Sequence, residues 1–287
     1  MKIYFSILVL LLLPLYVNGE TANNPKNFEI FGVEFNTAET RLLNEIEIFY
    51  GQKVDWKEDS GTSFNGYSDL TDDGIPLVRI HPVNGRTKST IIHELLHLKL
   101  WSEGWPKVSI QPDSVAKAFP NMFGNASNLS DALGWYRQRF YNNLEHQEIY
   151  RRLKIMHIDL NLNWTKEVET TIKQQDQIQW DSSYKISFYF KNSLDFATTK
   201  QTDLMRSVDE MYLAKHWNRE REIALKMAGI FNAKKLSKYN IVKTSIDCLN
   251  LLDPDLLKFE AKELKREKFG KVQLNTLNIE MKLLRRF

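Results

Sequence analysis

The chain has 287 residues, with 39 basic and 36 acidic side chains, and 43% of its residues are hydrophobic. This composition lies in the ordinary globular range and excludes disordered, collagen-like and coiled-coil classes of protein, while the net charge of +3 does not call for a nucleic-acid partner. The one cysteine, Cys248, excludes an internal disulfide framework and a cysteine-based zinc cluster.

The first 19 residues have the three parts of a secretory signal peptide. A basic start precedes an apolar run over residues 7–13, Pro14 follows, and the small Gly19 lies just before the expected cleavage site. We therefore expect a mature chain that begins at Glu20 and is found outside the cytosol, either secreted or periplasmic. The alternative is an uncleaved membrane anchor, although the apolar run is short for a bilayer span.

Helix and strand signals alternate in the first half of the chain. A helix is predicted over residues 38–50, where apolar side chains recur at helical spacing. A strand is predicted over 75–80, and we place it at a sheet edge because Pro76 has no backbone N–H to donate. A helix with a Ser or Thr cap is predicted over 89–103, and a further helical stretch from about 130 to 157.

The second half is expected to be mainly helical. Its first element is an exception, because the alternation of residues 184–190 predicts a half-buried strand. Helical patterns follow over residues 202–218, 219–236 and 254–268, the last with a proline at its first helical position.

Together these elements predict an α+β fold that is predominantly helical. We expect a small, mostly antiparallel sheet with an edge strand beside the 89–103 helix. The chain is predicted to have three parts: the signal peptide (1–19), a catalytic core (20–159) and a mainly helical region of unknown role (160–287).

The 89–103 helix carries the pattern His-Glu-x-x-His, formed by His93, Glu94 and His97. Residues four apart lie above one another on a helix, so both imidazoles can reach one ion, and imidazole is a common zinc ligand. Glu94 can take a proton from a zinc-bound water and later give it to a leaving amine. We predict one Zn²⁺ bound by the two histidines, with Glu94 as catalytic residue. The alternative is that the histidines merely pack on a helix face or face solvent.

This segment resembles the active-site helix of the zincin metallopeptidases. The Gly and His that metzincins carry after the motif are replaced here by Leu100 and Glu103, so the chain is more similar to gluzincins, in which a glutamate of a later helix is the third ligand. More loosely, residues 65–157 are similar to compact IrrE/ImmA-like metallopeptidases, which have a small sheet and helices. The resemblance does not extend to residues 160–287.

The third metal ligand is expected downstream of the motif, and Glu145 is the preferred candidate. It shares a helical stripe with Ile149, Leu153 and Met156, which places its carboxylate in the core, where an unpartnered charge is costly. The other acidic and histidine side chains that we considered are Glu103, Asp113, Asp131, His146, Glu148, His157 and Asp159.

Two alternatives to Glu145 remain open within the same cluster. Either His146 or Glu148 could be the ligand. Each could instead contact a metal ligand and keep it in the correct orientation. A third interpretation involves no metal, since Glu145 could pair with Arg137 or Arg139. No residue is singled out as oxyanion stabiliser, although four donors lie near this helix in sequence: Arg137, Tyr141, Tyr150 and His157.

These features predict a secreted zinc-dependent metallopeptidase that hydrolyses peptide bonds. The open edge of the 75–80 strand could hold an extended peptide, which makes a peptide or protein the expected substrate. No nucleic-acid partner is expected, nor an integral membrane span once the signal peptide is removed. The alternatives are a zinc-binding or metal-free interaction protein of the cell envelope, and a zinc hydrolase of a non-peptide bond.

Overall fold

The structure is a computed structural model, and it describes residues 28–61, 65–112, 142–160, 163–178, 180–233, 236–252 and 257–284. The predicted signal peptide therefore lies outside the described residues, as does the part of the predicted 130–157 helix before residue 142. Among the described residues, no helix combines the length and the apolar character that a bilayer crossing requires.

The described part of the chain contains eight helices and eight strands, which confirms the predicted α+β class. The helices are α1 (Thr37–Tyr50), α2 (Lys88–Ser102), α3 (Asn142–Ile155), α4 (Asn163–Lys173), α5 (Ser182–Thr199), α6 (Thr202–Ala214), α7 (Asn218–Asn232) and α8 (Ile241–Leu249). The strands are β1 (Phe28–Ile30), β2 (Val33–Phe35), β3 (Asp55–Glu58), β4 (Gly66–Leu70), β5 (Pro76–Ile80), β6 (Lys107–Pro112), β7 (Leu257–Phe269) and β8 (Val272–Leu283).

Local capping signals explain why α1 begins and ends where the sequence predicts. The Asn36 side chain accepts hydrogen bonds from the backbone N–H groups of Ala38 and Glu39, and the Glu39 carboxylate accepts one from the Asn36 N–H in return. This capping box satisfies N–H groups that have no partner inside the helix. Gly51 ends the helix in a left-handed conformation, with φ of 64°.

The first three-stranded sheet has the order β3-β5-β4, with β5 parallel to β3 and antiparallel to β4. The prediction that residues 75–80 lie at a sheet edge is therefore wrong, because β5 is the central strand. Pro76 is tolerated since it is the first residue of β5, at the end of the ladder opposite Leu70. An edge strand does lie beside α2, as predicted, but it is β4.

The second three-stranded sheet has the order β6-β8-β7 and joins distant parts of the chain. Strand β6, which follows α2, pairs in parallel with β8, and β7 pairs with β8 in the antiparallel sense. The Asn275 side chain of β8 also donates to the Gly104 carbonyl oxygen at 2.9 Å, and the buried apolar residues of both halves form one core. These contacts cross the predicted boundary between residues 159 and 160.

Two predicted elements of the second half are wrong in type. Residues 184–190 belong to the helix α5 and not to a strand, because that helix is buried on most of its sides and its apolar pattern is not specific to a helix. Residues 257–268 form most of the strand β7 and not a helix, because pairing with β8 outweighs their helical propensity. The predicted helices over 202–218 and 219–236 are confirmed as α6 and α7.

Candidate metal centre

Helix α2 holds the His-Glu-x-x-His motif in the interior of the protein. Its cap is Thr87, whose side-chain oxygen accepts a hydrogen bond from the Thr90 N–H at 3.2 Å. Apolar side chains bury the helix on most sides: Ile91, Ile92, Leu95, Leu96, Leu98 and Leu100. One turn apart, His93 and His97 have ring centroids 5.0 Å from each other, as the motif predicts.

Helix α3 brings a third imidazole to this pair. The His146 ring centroid lies 4.7 Å from that of His93 and 5.4 Å from that of His97. Each of the three side chains offers one ring nitrogen, and these atoms all lie within 4.8 Å of one another. We searched the described residues for histidine, cysteine, aspartate and glutamate side chains that lie close enough together to hold a metal ion. These three histidines form the group found.

Glu145 occupies a different place from the one predicted for a third ligand. It faces the core as its helical stripe predicts, and only 1% of it is exposed. One carboxylate oxygen, Oε2, lies 2.9 Å from His97 Nδ1, and the other, Oε1, accepts from Trp101 Nε1 at 3.3 Å. Both oxygens therefore bind side chains of α2, and the side chain of α3 that lies close to both His93 and His97 is His146. One residue rotates a helix by about 100°, so the two neighbours cannot serve the same role.

The remaining candidates for a third ligand have other partners or lie elsewhere. Glu148 accepts hydrogen bonds from Arg151 and Arg152, and Arg152 also donates two hydrogen bonds to the carboxylate of Glu103. Partial burial would raise the pKa of Glu148, but these arginines outweigh it and lower the pKa. His157 and Asp159 are exposed. The ligand candidates Asp113 and Asp131 lie outside the described residues. So do Arg137 and Arg139, considered as partners of Glu145, and Tyr141, considered as an oxyanion donor.

The three histidines differ in their electrostatic surroundings. Burial, and then the nearby charges of His97 and Lys191, hold the pKa of His93 well below its ordinary value. His146 has a strongly lowered pKa for the same main reason, with His93 as a further contributor. Both rings are therefore neutral at pH 7, which is the form that binds zinc.

The pKa of His97 is shifted in the opposite direction. Its burial opposes protonation, but the hydrogen bond and charge of Glu145, together with the charge of Glu94, outweigh burial and raise the pKa of His97. A proton on Nδ1 shared with Glu145 leaves Nε2 of His97 available as a ligand atom. This arrangement of carboxylate and imidazole is typical of the support that orients histidine ligands in metal sites.

Glu94 lies in the same buried region and has its own partner. Its Oε2 accepts a hydrogen bond from Ser68 Oγ of β4 at 3.0 Å, and only 6% of the residue is exposed. Burial raises the pKa of Glu94, although the charge of His97 and the Ser68 hydrogen bond oppose the shift. A raised carboxyl pKa suits a group that must both take and release a proton.

Three further residues near the histidines, Ser68, Lys191 and Asp195, escape sequence reasoning, because they come from elements that only the fold brings together. Tyr150, a donor that the sequence placed near this helix, joins them. Ser68 belongs to β4, and the ring of the buried Tyr150 lies 6.0 Å from that of His93 and 5.7 Å from that of His146. On α5, Lys191 Nζ lies 2.9 Å from Oδ2 of the fully buried Asp195, whose charge, after burial itself, raises the pKa of Tyr150. No local motif marks Ser68, Lys191 or Asp195.

Comparison of the chain with models of protein families, with curated proteins and with solved structures finds no match. The likeness to zincins therefore rests on the motif itself, and the geometry of the site carries the functional interpretation.

Proposed function

We propose that this protein is a zinc-dependent hydrolase that cleaves peptide bonds. The observation that carries the proposal is the convergence of three imidazoles, from the half-buried His93 and His146 and the buried His97, with the buried carboxylate of Glu94 on the same helix as His93 and His97. A metal site without catalytic function needs the histidines but has no use for a buried carboxylate beside them. The same convergence favours an enzyme over the metal-free interaction protein that the sequence left open.

The chemistry of the donors fits Zn²⁺. Three histidines are a known catalytic zinc set, which keeps a fourth position for water or substrate. Nδ1 of His146 is buried and has no hydrogen-bond partner among the described residues, as expected for a ring whose surroundings are arranged around an ion. Zinc bound by these side chains would lower the pKa of a water ligand to about 7 and polarise the carbonyl group of the substrate.

The side chains of the protein supply the remaining steps. Glu94 takes the proton from the attacking water and delivers it to the leaving amine, and its raised pKa keeps both transfers accessible. Glu145 keeps His97 in one orientation by binding its Nδ1, and Trp101 holds Glu145 in turn. The site is thus ordered before substrate binds, which lowers the cost of reaching the transition state.

The position of β4 supports a peptide as the substrate. This strand pairs on one side with β5 and lies at the edge of its sheet, and its Ser68 contacts Glu94. An extended peptide that pairs with the outer edge of β4 would pass next to the histidines. Such pairing binds a peptide mainly through hydrogen bonds to its backbone. We propose this strand, in place of the 75–80 strand, as the peptide-binding edge.

The proposed setting is outside the cytosol, after removal of residues 1–19. This rests on the sequence of the N-terminal segment alone. Intact-mass measurement of the exported protein should give a chain that begins at Glu20. A retained Met1 in a membrane fraction would contradict the proposal and favour an anchor.

The proposed reaction is tested by the substitution Glu94→Gln in the exported, zinc-loaded protein. We expect the wild type to cleave members of a broad peptide library, and the variant to lose roughly 10²- to 10⁴-fold in rate, which is the usual contribution of a general base. Zinc content and melting temperature should stay unchanged, because Glu94 is not a ligand. Glu148→Gln is the matched control, since Glu148 lies on the neighbouring helix and pairs with arginines. Equal turnover by Glu94→Gln and wild type would contradict the proposal.

A further inference from the structure

Strand β4 packs against helix α2 and leaves little space at Gly66. A Cβ atom built on Gly66 of β4 would lie 3.0 Å from Cδ1 of Ile80 and 3.1 Å from Cγ2 of Thr90, tighter than ordinary contacts. The absence of a side chain at residue 66 therefore allows the strand to approach the first turn of α2.

The next contact between the two elements follows from their geometries. Two residues along a strand span about 6.7 Å, and four residues along a helix span about 6 Å. The step from Gly66 to Ser68 on β4 thus matches the step from Thr90 to Glu94 on α2. Ser68 therefore lies opposite Glu94, and its Oγ donates to Oε2 of Glu94 at 3.0 Å.

We propose that Ser68 is a positioning residue for Glu94. By donating to Oε2, the hydroxyl group fixes the rotation of the carboxylate and leaves Oε1 as the oxygen that exchanges a proton with the reacting water. Without this donor the carboxylate samples orientations from which proton transfer is slow. This inference rests on the proposed function, because it assigns Glu94 the role of general base.

The kinetic test compares Ser68→Ala with Ser68→Thr in the zinc-loaded, exported protein. We expect Ser68→Ala to lower kcat roughly 10-fold, as loss of an outer hydrogen-bond partner typically does, with KM unchanged. Ser68→Thr keeps the hydroxyl group and should restore kcat. Ser193→Ala is the matched control: it removes a half-buried serine hydroxyl that donates to the Phe190 carbonyl oxygen at 2.7 Å, away from Glu94.

Combination with Glu94→Gln separates positioning from general destabilisation. If Ser68 acts only through Glu94, then adding Ser68→Ala to the Glu94→Gln variant lowers the residual rate no further. A second 10-fold loss in that background, or equal losses in Ser68→Ala and Ser68→Thr, would assign the effect to packing of β4 and overturn the inference.

A measurement that does not depend on turnover keeps this inference separate from the proposed function. The carboxyl carbon of Glu94 can be observed by NMR in protein labelled with ¹³C at glutamate, and assigned by its disappearance in Glu94→Gln. We expect the signal to shift in Ser68→Ala and to return towards the wild-type position in Ser68→Thr. A wild type that cleaves no peptide would refute the proposed function, whereas an unchanged carboxyl signal in Ser68→Ala would refute the role of Ser68.

Discussion

The two three-stranded sheets are built alike but serve different parts of the molecule. In each, a central strand, β5 or β8, has one parallel and one antiparallel neighbour. The β3-β5-β4 sheet forms within residues 55–80, and its edge strand contacts Glu94. The β6-β8-β7 sheet instead joins residues 107–112 to a hairpin more than 140 residues further along the chain.

The two sheets therefore have different roles, one in positioning side chains of the candidate site and the other in stability. The local sheet presents Ser68 and an open edge to the site, while the non-local sheet ties the second half of the chain to the core. The two sheets meet where the turn at Gly74 contacts the hairpin end at Gly270. Substitutions at this junction and beyond it should change stability, whereas substitutions on β4, α2 and α3 should change metal binding or turnover.

The largest expected effect on stability comes from Gly270→Ala at this junction. Gly270 has φ of 54°, and a Cβ atom there would lie 1.8 Å from the carbonyl oxygen of Asp73, so backbone must move. We expect a loss of about 3 kcal/mol in the free energy of unfolding, measured by urea denaturation. Gly229→Ala is the control, because nothing lies within 4 Å of its added Cβ in α7, and it should gain up to about 1 kcal/mol. Equal stability of Gly270→Ala and wild type would show that the junction of the two sheets does not contribute to stability as proposed.

Lys107→Met should have a smaller effect at the same junction. The Lys107 ammonium of β6 pairs with Asp69 of β4 and lies 5.4 Å from the ring centroid of Trp101 and 5.5 Å from that of Phe269. Methionine keeps the packing but removes the charge, so we expect a loss of about 1 kcal/mol in unfolding free energy. High salt should reduce the difference from wild type, and a loss that does not depend on salt would show that packing alone is responsible.

The smallest expected effect lies wholly within the second half, at Asp209. This carboxylate accepts hydrogen bonds from Arg221 and from the Tyr189 hydroxyl, and the Arg221 hydrogen bond is the main reason that its pKa is lowered. A carboxyl with a lowered folded-state pKa stabilises the protein above its unfolded pKa, about 3.9, and loses this contribution as the pH falls below it.

Asp209→Asn should therefore cost at most about 1 kcal/mol at pH 7 and progressively less on acidification. Thermal melts of both proteins between pH 7 and pH 3 measure the difference. Zinc content at pH 7 should be the same in both, because the hydrogen-bond partners of Asp209, Tyr189 and Arg221, lie on α5 and α7 and not on the helices that carry the histidines. A stability difference that grows as the pH falls would contradict the assigned ion pair.

The parts of the fold that the sequence predicts are those whose signals are local. Helix α1 has its cap and its terminating glycine within the same 16 residues, and α2 has Thr87 as cap and the histidines one turn apart. In β7, by contrast, lysine, glutamate and leucine favour a helix, and the strand forms only because β8 is its partner. Although β8 follows directly in the same hairpin, residue propensity alone does not show that strand pairing outweighs the helical preference of β7.

The third donor of the proposed metal site is a further case in which local signals are insufficient. The stripe of Glu145, Ile149 and Leu153 correctly predicts which side of α3 is buried. Burial does not reveal which partner satisfies a buried carboxylate, and for Glu145 the partners are His97 and Trp101. His146, rotated by about 100° on the same helix, reaches the other two imidazoles.

If His146, and not Glu145, completes the proposed metal site, then substitution of these two residues should have different effects on zinc content. His146→Ala, Glu145→Ala and the control His157→Ala should be dialysed against a weak chelator, and the bound zinc measured by mass spectrometry with a competing indicator dye for affinity. We expect His146→Ala to lose its zinc, Glu145→Ala to bind zinc with roughly 10- to 100-fold lower affinity, and His157→Ala to match the wild type. Full zinc occupancy in His146→Ala together with complete loss in Glu145→Ala would contradict the assignment.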